Sequence, residues 1–381
     1  MRIREIDTTV RKDVRTFVQF PFELYRDCPQ WTPPLVSSVK QSLNRQHHPF
    51  YCHSDAAFYL AEEGDRVVGR IAVLHHAGYN AYLKSQAPAG ADAGGVAFFY
   101  YFDTVDDVAV AEGLFDAARA WARGRGLAEI KGPKGFVRSD AYGILTKGFD
   151  HPAAMTVPYN HAYYASLIEQ VGGEKEVDYF TGYMKAEDEL PERLFRLAER
   201  IKERRGLRVL NFRTKRELRP WIPRIQEVNN GAFVDVWGYY PVDEAEIAMM
   251  AKTLLTIADP TLLKIVLKGE EIAGFAFIFP DIADTLRKVK GRLFPFGWIP
   301  VLIGLRTSKI LLANGVGLLP QYQGVGASAL LYQELHDTVR RRGAKYCEFV
   351  QVMESNLKSL NDMNALGVHW YKRHRVFRLK V

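Results

Sequence analysis

The sequence predicts a mixed α/β fold built twice: two domains, at 1–186 and 187–381, each a mixed, largely antiparallel sheet flanked by helices. Three observations carry this reading. The 381 residues exceed the roughly 100–200 that one core usually organises. Short β-rich runs alternate with amphipathic stretches along the whole chain. The order hairpin, strand, helix, strand, helix, strand occurs twice, although the residues themselves hardly repeat.

In the first half, residues 17–25 read as a helix. Residues 57–61 and 66–74 are strands joined across Glu62-Glu63-Gly64-Asp65, a hairpin by its turn residues. Residues 96–102 make an aromatic, apolar third strand. A helix follows at 111–125, with Leu114, Ala118, Trp121 and Ala122 on one face and Gly124 and Gly126 at its end. A short strand at 127–131 precedes a Gly- and Pro-rich irregular stretch, 132–161, of a length usually reserved for function or for cover by a partner. A helix at 162–170 and a strand at 177–184 close this half. His75-His76 reads as surface strand; no third ligand stands at useful spacing, and no metal site is expected.

A charged helix at 189–205 leads into the second half. A strand at 207–212 and helices at 215–229 and 243–256 come first. Strands at 262–267 and 271–279 form a hairpin across Lys268-Gly269-Glu270, and a basic, aromatic insertion occupies 281–308. Then come a strand at 309–319, a helix at 327–341 with Leu331, Leu335 and Val339 on one face, a strand at 345–352, a helix at 356–366 and a last strand at 376–381.

Composition excludes little. The chain is 48% hydrophobic and 25% charged, with net charge +7, which suits an anionic ligand. The densest basic cluster, Lys202, Arg204, Arg205 and Arg208, then Arg213, Lys215, Arg216 and Arg219, reads as a solvated face, with an anion or RNA contact as the alternative. Nucleic acid is not expected as a partner. Cys28, Cys52 and Cys347 are too few and too scattered for a disulfide framework or zinc site, and a reducing cytoplasm is expected. The start of the chain lacks an apolar signal core. The longest apolar run, 293–305, is too short to span a bilayer and holds two prolines and two glycines; no stable membrane insertion is expected. It reads as a packed insertion, with a substrate wall or membrane contact as alternatives.

One loop carries chemistry. Pro320-Gln321-Tyr322-Gln323-Gly324-Val325-Gly326-Ala327-Ser328 lies between an apolar strand and an amphipathic helix. Glycines there let the backbone turn tightly with its amides pointing at a ligand, and a helix N-terminus favours an anion such as a diphosphate. No P-loop sequence is present, nor a dinucleotide-binding fingerprint with its acidic residue.

This segment resembles the pyrophosphate loop of the GNAT acyltransferase superfamily, in which Pro-x-aromatic-Arg/Gln-Gly-x-Gly-x-Gly/Ala precedes a helix. Gln323, Gly324 and Gly326 match the pattern, and Ser328 stands where Gly or Ala is usual. The resemblance implies two tandem GNAT-like domains and acetyl-CoA or another acyl-CoA as cofactor. It implies that main-chain amides of Gln323, Gly324, Val325, Gly326 and Ala327, beside Ser328, hold the diphosphate, and that Leu318 and Leu319 line the cofactor arm. Asn356 matches an Asn that places that arm. The family's proton-donating Tyr slot holds Met363, whose thioether donates no proton; Tyr371 is the nearest tyrosine. The first half resembles the superfamily only around 163–173; its third strand runs into Asp103-Thr104-Val105-Asp106-Asp107, where carboxylates would repel a diphosphate. It is read as a copy without cofactor.

The implied reaction is transfer of an acyl group, most simply acetyl, to a small-molecule amine. Glu354 is the first candidate base, alternatively a helix cap. Asn314 is a candidate ligand for substrate or water, alternatively a strand-bulge residue. Trp237, Tyr239 and Tyr240 are candidates to grip the acceptor, alternatively a satellite apolar cluster. Asp140 and Asn160 reach a cleft or serve their own loop. Rival readings are a non-catalytic acyl-CoA binding protein and a Fem-like transferase using aminoacyl-transfer RNA.

Overall fold

The computed structural model describes residues 1–88, 94–323 and 326–381, with side chains described for all of these except 202–205, 226 and 253–257. In chain order the elements are β1 (Arg2–Glu5), α1 (Arg11–Leu24), α2 (Val36–Ser42), β2 (Asp55–Glu63), β3 (Arg66–His75), α3 (Ala77–Gln86), β4 (Gly95–Thr104), α4 (Val108–Arg123), β5 (Leu127–Gly132), β6 (Ile144–Lys147), α5 (Tyr164–Gln170) and β7 (Glu174–Lys185). They continue with α6 (Glu192–Arg205), β8 (Leu207–Asn211), α7 (Lys215–Leu218), α8 (Ile222–Ala232), α9 (Glu244–Ile257), β9 (Leu263–Lys268), β10 (Glu271–Pro280), α10 (Ala283–Val289), α11 (Trp298–Thr307), β11 (Ile310–Leu318), α12 (Ala327–Arg341), β12 (Tyr346–Met353), α13 (Leu357–Ala365) and β13 (His369–Lys380).

The first compact unit comprises Met1–Tyr179, Ala283–Val301 and Lys372–Val381. Its sheet runs β1-β2-β3-β4-β5-β13, with β6 added to β13. Only β4 and β5 are parallel there; the other pairs are antiparallel. The apolar face of α4, including Leu114, Phe115 and Ala118, is fully buried on this sheet. Gly69 makes that closeness possible, because a Cβ there would stand 2.8 Å from Leu114 Cδ1.

The second unit comprises Phe180–Ile282 and Leu302–Tyr371. Its sheet runs β7-β12-β11-β10-β9-β8, with β11 and β12 parallel. The face of α12 predicted from Leu331, Leu335 and Val339 is buried. Each unit thus repeats hairpin, strand, helix and parallel strand on a mixed sheet. Among the described residues no helix is long and apolar enough to cross a membrane.

Four expectations are corrected. The helix at 215–229 is broken into α7, a 3-10 turn over Arg219–Trp221 and α8, because Pro220 and Pro223 lack the N–H that a continuous helix needs. His76 is no surface strand residue: it is 4% exposed and caps α3 by accepting the Tyr79 N–H, an end that its side chain creates locally. The last strand starts at His369, since β6 supplies pairing partners that local pattern does not reveal. The insertion is not packed throughout: Ala283 and Leu286 of α10 are buried, whereas α11 buries no residue at all.

Candidate functional site

In each unit two parallel strands part company. In unit 2, β11 and β12 pair from Ile310↔Tyr346 to Ala313↔Phe349, although both strands run on beyond that point. The cause is a bulge: Asn314 and Gly315 together stand opposite Phe277, and Gly315 takes φ 104°. A bulge bends its strand and re-aims the residues beyond it. The freed edge of β11 offers main-chain groups to an extended, amide-bearing ligand.

In unit 1, β4 and β5 part after Phe98↔Lys131, beside a bulge at Tyr101 with φ 47°. Here the chain fills its own gap. The Lys134 N–H donates to the Phe99 carbonyl at 3.0 Å. Phe136, 1% exposed, stacks on Phe58 and meets Phe50 edge-on.

The helices after these strands differ in the same sense. The start of α4 is closed by Asp107, whose carboxylate accepts the Ala109 N–H at 2.8 Å. The start of α12 is Gly326, with φ 88° and no side-chain cap. That leaves the first amides of α12 and the positive helix end for an external anion. The positive φ favours glycine there, and a Cβ would also press on the Ile201 side chain at 3.1 Å. Of the carboxylates expected to repel a diphosphate in the 103–107 run, Asp103 is corrected: Arg70 pairs with it at 2.7 Å and Tyr25 donates to it at 3.0 Å. Asp106 and Asp107 stay exposed at the start of α4, so packing, the Asp107 cap and these two carboxylates together occupy that end of unit 1.

Gly324 and Val325 lie outside the described residues. On either side of them the loop is well tied. Gln323 Nε2 donates to the Leu318 carbonyl at 3.1 Å, and Lys358 Nζ donates to Gln323 Oε1 at 3.1 Å. Tyr322 donates to Glu271 at 2.7 Å, and the Leu319 N–H to the Ala273 carbonyl at 3.0 Å. Ala327 is buried and Ser328 half-buried in the first turn of α12. Asn356 caps α13 by accepting the Ser359 N–H at 3.1 Å. Leu318, Gln323 and the first turn of α13 therefore converge on one loop.

Strand alternation places the catalytic candidates. Cys347, Phe349, Leu311 and Ala313 share a core cluster with Tyr332 and Leu335 of α12, so Glu348 and Leu312 face the other side of the sheet. Glu348, 2% exposed, hydrogen-bonds Tyr371; burial and this carboxylate hold the phenol well above its ordinary pKa of 10.0. Tyr183 packs on Tyr346 and Tyr371 with ring centroids 5.5 and 5.4 Å away. Asn314 is exposed in the bulge and Glu354 half-exposed just past β12. The Trp237 N–H donates to Met353 Sδ at 3.3 Å, which brings its loop against the residue before Glu354. Tyr239 is buried, and the Tyr240 hydroxyl lies 3.0 and 2.9 Å from the two oxygens of buried Glu246. Met363 is in the core, 4% exposed.

Asp140 and Asn160 belong to unit 1. Asp140 accepts the Phe136 N–H at 2.7 Å, and Asn160 accepts from Leu145 at 2.6 Å and donates to the Leu145 and His161 carbonyls. Both spend these groups within the 132–161 segment. A hollow of about 400 Å³ in unit 2, lined by Gly206, Leu207, Arg208, Val209 and Glu334, contains Arg208 of the basic cluster but none of the residues expected to bind cofactor or acceptor or to catalyse.

Sequence reasoning missed Lys358, and it did not pair Glu348 with Tyr371. Lys358 had a signal: a cation in the first turn of a helix opposes the macrodipole, unless an anion is bound beside it. The Glu348–Tyr371 pair had none, since it joins two separate strands.

Two successive sheets with parted parallel strands, each followed by a helix, are the tandem GNAT fold. The solved tandem GNAT protein of the clavulanic acid biosynthesis pathway matches 100% of this chain and 98% of its own, at TM-score 0.56 and 13% identity. A GCN5-related N-acetyltransferase from Sphaerobacter thermophilus matches at TM-score 0.52 and 14% identity over 100% of this chain and 95% of its own. Two curated relatives span nearly the full length. Protein YghO of Escherichia coli is 28% identical over 97% of this chain and 94% of its own. A bacterial ceramide synthase of Caulobacter vibrioides is 27% identical over 96% of this chain and 94% of its own. No family model matches the chain.

Proposed function

We propose that the chain is an acyl-CoA-dependent N-acyltransferase whose unit 2 holds the cofactor, unit 1 being a copy that has closed its equivalent place. The observation that carries this is the contrast between the self-capped α4 and the uncapped, glycine-initiated α12. Ala327, Ser328, Gln323 and Lys358 would hold the diphosphate, and the edge of β11 up to Leu318 the amide-bearing arm.

When bound, an acyl-CoA supplies an acyl group activated as a thioester. A neutral amine is the nucleophile, and a base takes its proton directly or through water; Glu354, beside the Trp237 loop, and buried Glu348 are the two candidates for that role. Tyr371, kept protonated by burial and by its bond to Glu348, would orient that carboxylate, and the proton taken from the amine would pass on to the leaving sulfur, directly or through water. The relative named a bacterial ceramide synthase supports a long-chain amino alcohol as acceptor and a long acyl chain in place of acetyl. Three free cysteines suit the reducing cytoplasm.

The test offers acetyl-CoA and palmitoyl-CoA with a panel of amines that includes sphinganine, reading thiol release and the mass of the amide. Amide formation that Gly326→Glu abolishes supports the reading. A second reading, acyl-CoA binding without transfer, is favoured by the buried thioether of Met363 in the usual Tyr slot. It is the outcome if coenzyme A raises the melting temperature but no amine releases thiol. Absence of any coenzyme A effect overturns both.

A further inference from the structure

We propose that the segment from Lys288 to Lys309 docks the protein, reversibly and without spanning, onto the surface of an anionic lipid bilayer. Among the described residues, twelve large hydrophobics are exposed, and six of them fall within ten consecutive positions: Phe294 (88%), Phe296 (71%), Trp298, Ile299, Leu302 and Ile303. An apolar stretch that dense ordinarily marks a surface meant to be covered. The helix it contains, α11 (WIPVLIGLRT), is apolar on every side and yet buries no residue. A helix apolar all round belongs in a core or in lipid, and this one is not in the core.

The exposed segment is held firmly at its base. The Val36 N–H donates to the Gly291 carbonyl at 2.9 Å, and Arg287 reaches the Thr32 hydroxyl at 2.6 Å. A Cβ at Gly291 would overlap the Pro34 carbonyl oxygen, so the chain there lies as close as backbone permits. The tip is a closed turn, with the Trp298 N–H bonded to the Leu293 carbonyl at 2.9 Å and its indole N–H to the Pro295 carbonyl at 3.1 Å. Phe294 and Phe296 are therefore presented on a built platform.

Charge selects the occupant. From 285 to 309 the chain has six basic residues and no carboxylate, a local +6 against +7 for the whole protein. Lys288, Lys290 and Arg292 precede the apolar run and Arg306 and Lys309 follow it, and all five are exposed. Aromatic and aliphatic groups bordered by cations match the boundary between acyl chains and anionic headgroups. A second copy of the chain would set the same positive segment against itself. At ten residues α11 is about 15 Å long, half of a hydrocarbon core, so it lies in the interface. This surface requires no acyl transfer, and its test is independent of that reading.

The experiment floats the full chain with vesicles of phosphatidylcholine alone or with about 30% phosphatidylglycerol, at low and high salt. Wild type is expected to float with the anionic vesicles only, and to release as salt rises. Phe294→Ser with Phe296→Ser, and separately Lys288→Glu with Lys290→Glu, are each expected to lower partitioning about ten-fold or more. All four side chains are exposed, so unchanged circular dichroism and melting would show that the variants fold. Sedimentation velocity distinguishes the rival occupant. Wild type that stays off anionic vesicles, variants that bind equally well, or a dimer dissolved by the Phe substitutions in protein that ignores vesicles would each overturn the proposal.

Discussion

Replacing Gly326 tests the candidate cofactor loop from two directions. At φ 88° a side chain enters the left-handed region, at a cost of about 1–2 kcal/mol for a non-glycine residue. Its Cβ also meets the Ile201 side chain at 3.1 Å, a contact that a small shift relieves. Gly326→Ala should therefore lower the melting temperature of unit 2 by about 2–8 °C, at about 2–4 °C per kcal/mol for a domain of this size. Gly326→Glu adds a carboxylate where the diphosphate is proposed to bind. Two such charges about 4 Å apart repel by about 4 kcal/mol at an effective dielectric near 20, or about 1000-fold in affinity. The assay is a thermal-shift titration with coenzyme A, in which saturation at about 100 times the dissociation constant raises wild-type stability by about 2.7 kcal/mol. Gly326→Ala should retain a shift and Gly326→Glu should lose it. A full coenzyme A response in folded Gly326→Glu would refute the placement of the diphosphate on α12.

Three further outcomes are expected from the geometry. Lys358→Ala removes the exposed cation beside Gln323 and should weaken coenzyme A up to about five-fold, with a flatter salt dependence in calorimetry. Asp107→Ala should destabilise unit 1 by about 1 kcal/mol through loss of the α4 cap, yet leave coenzyme A affinity unchanged if the cofactor is held at α12 as proposed. Burial lowers the pKa of His48 and His374 to about 4 and of His76 to about 3 from 6.5, and all three sit in unit 1. The unfolded chain binds their protons first, so this stability is complete above pH 6.5 and is lost as pH falls toward 4. The unfolding free energy from urea titrations should fall by up to about 1.4 kcal/mol per pH unit for each histidine, and His374→Gln should make the slope shallower.

What the sequence determined by itself was local. The limits of α12 at 327–341 were legible because the glycine start and the spacing of Leu331, Leu335 and Val339 are decided within a few turns. The hairpins across Gly64 and Gly269 were legible for the same reason: both glycines take positive φ in turns of a few residues. The repeated element order, and with it the two sheets, came from summing such local signals. What only the tertiary structure decided depends on residues far apart in the chain. Phe136 plugging unit 1, Lys358 reaching Gln323 and Glu348 meeting Tyr371 each require a strand to part or pair, and pairing register is not written in any single segment. Nor can composition separate a packed apolar helix from a bare one: α10 and α11 lie side by side in sequence, and only the first finds a surface to cover it.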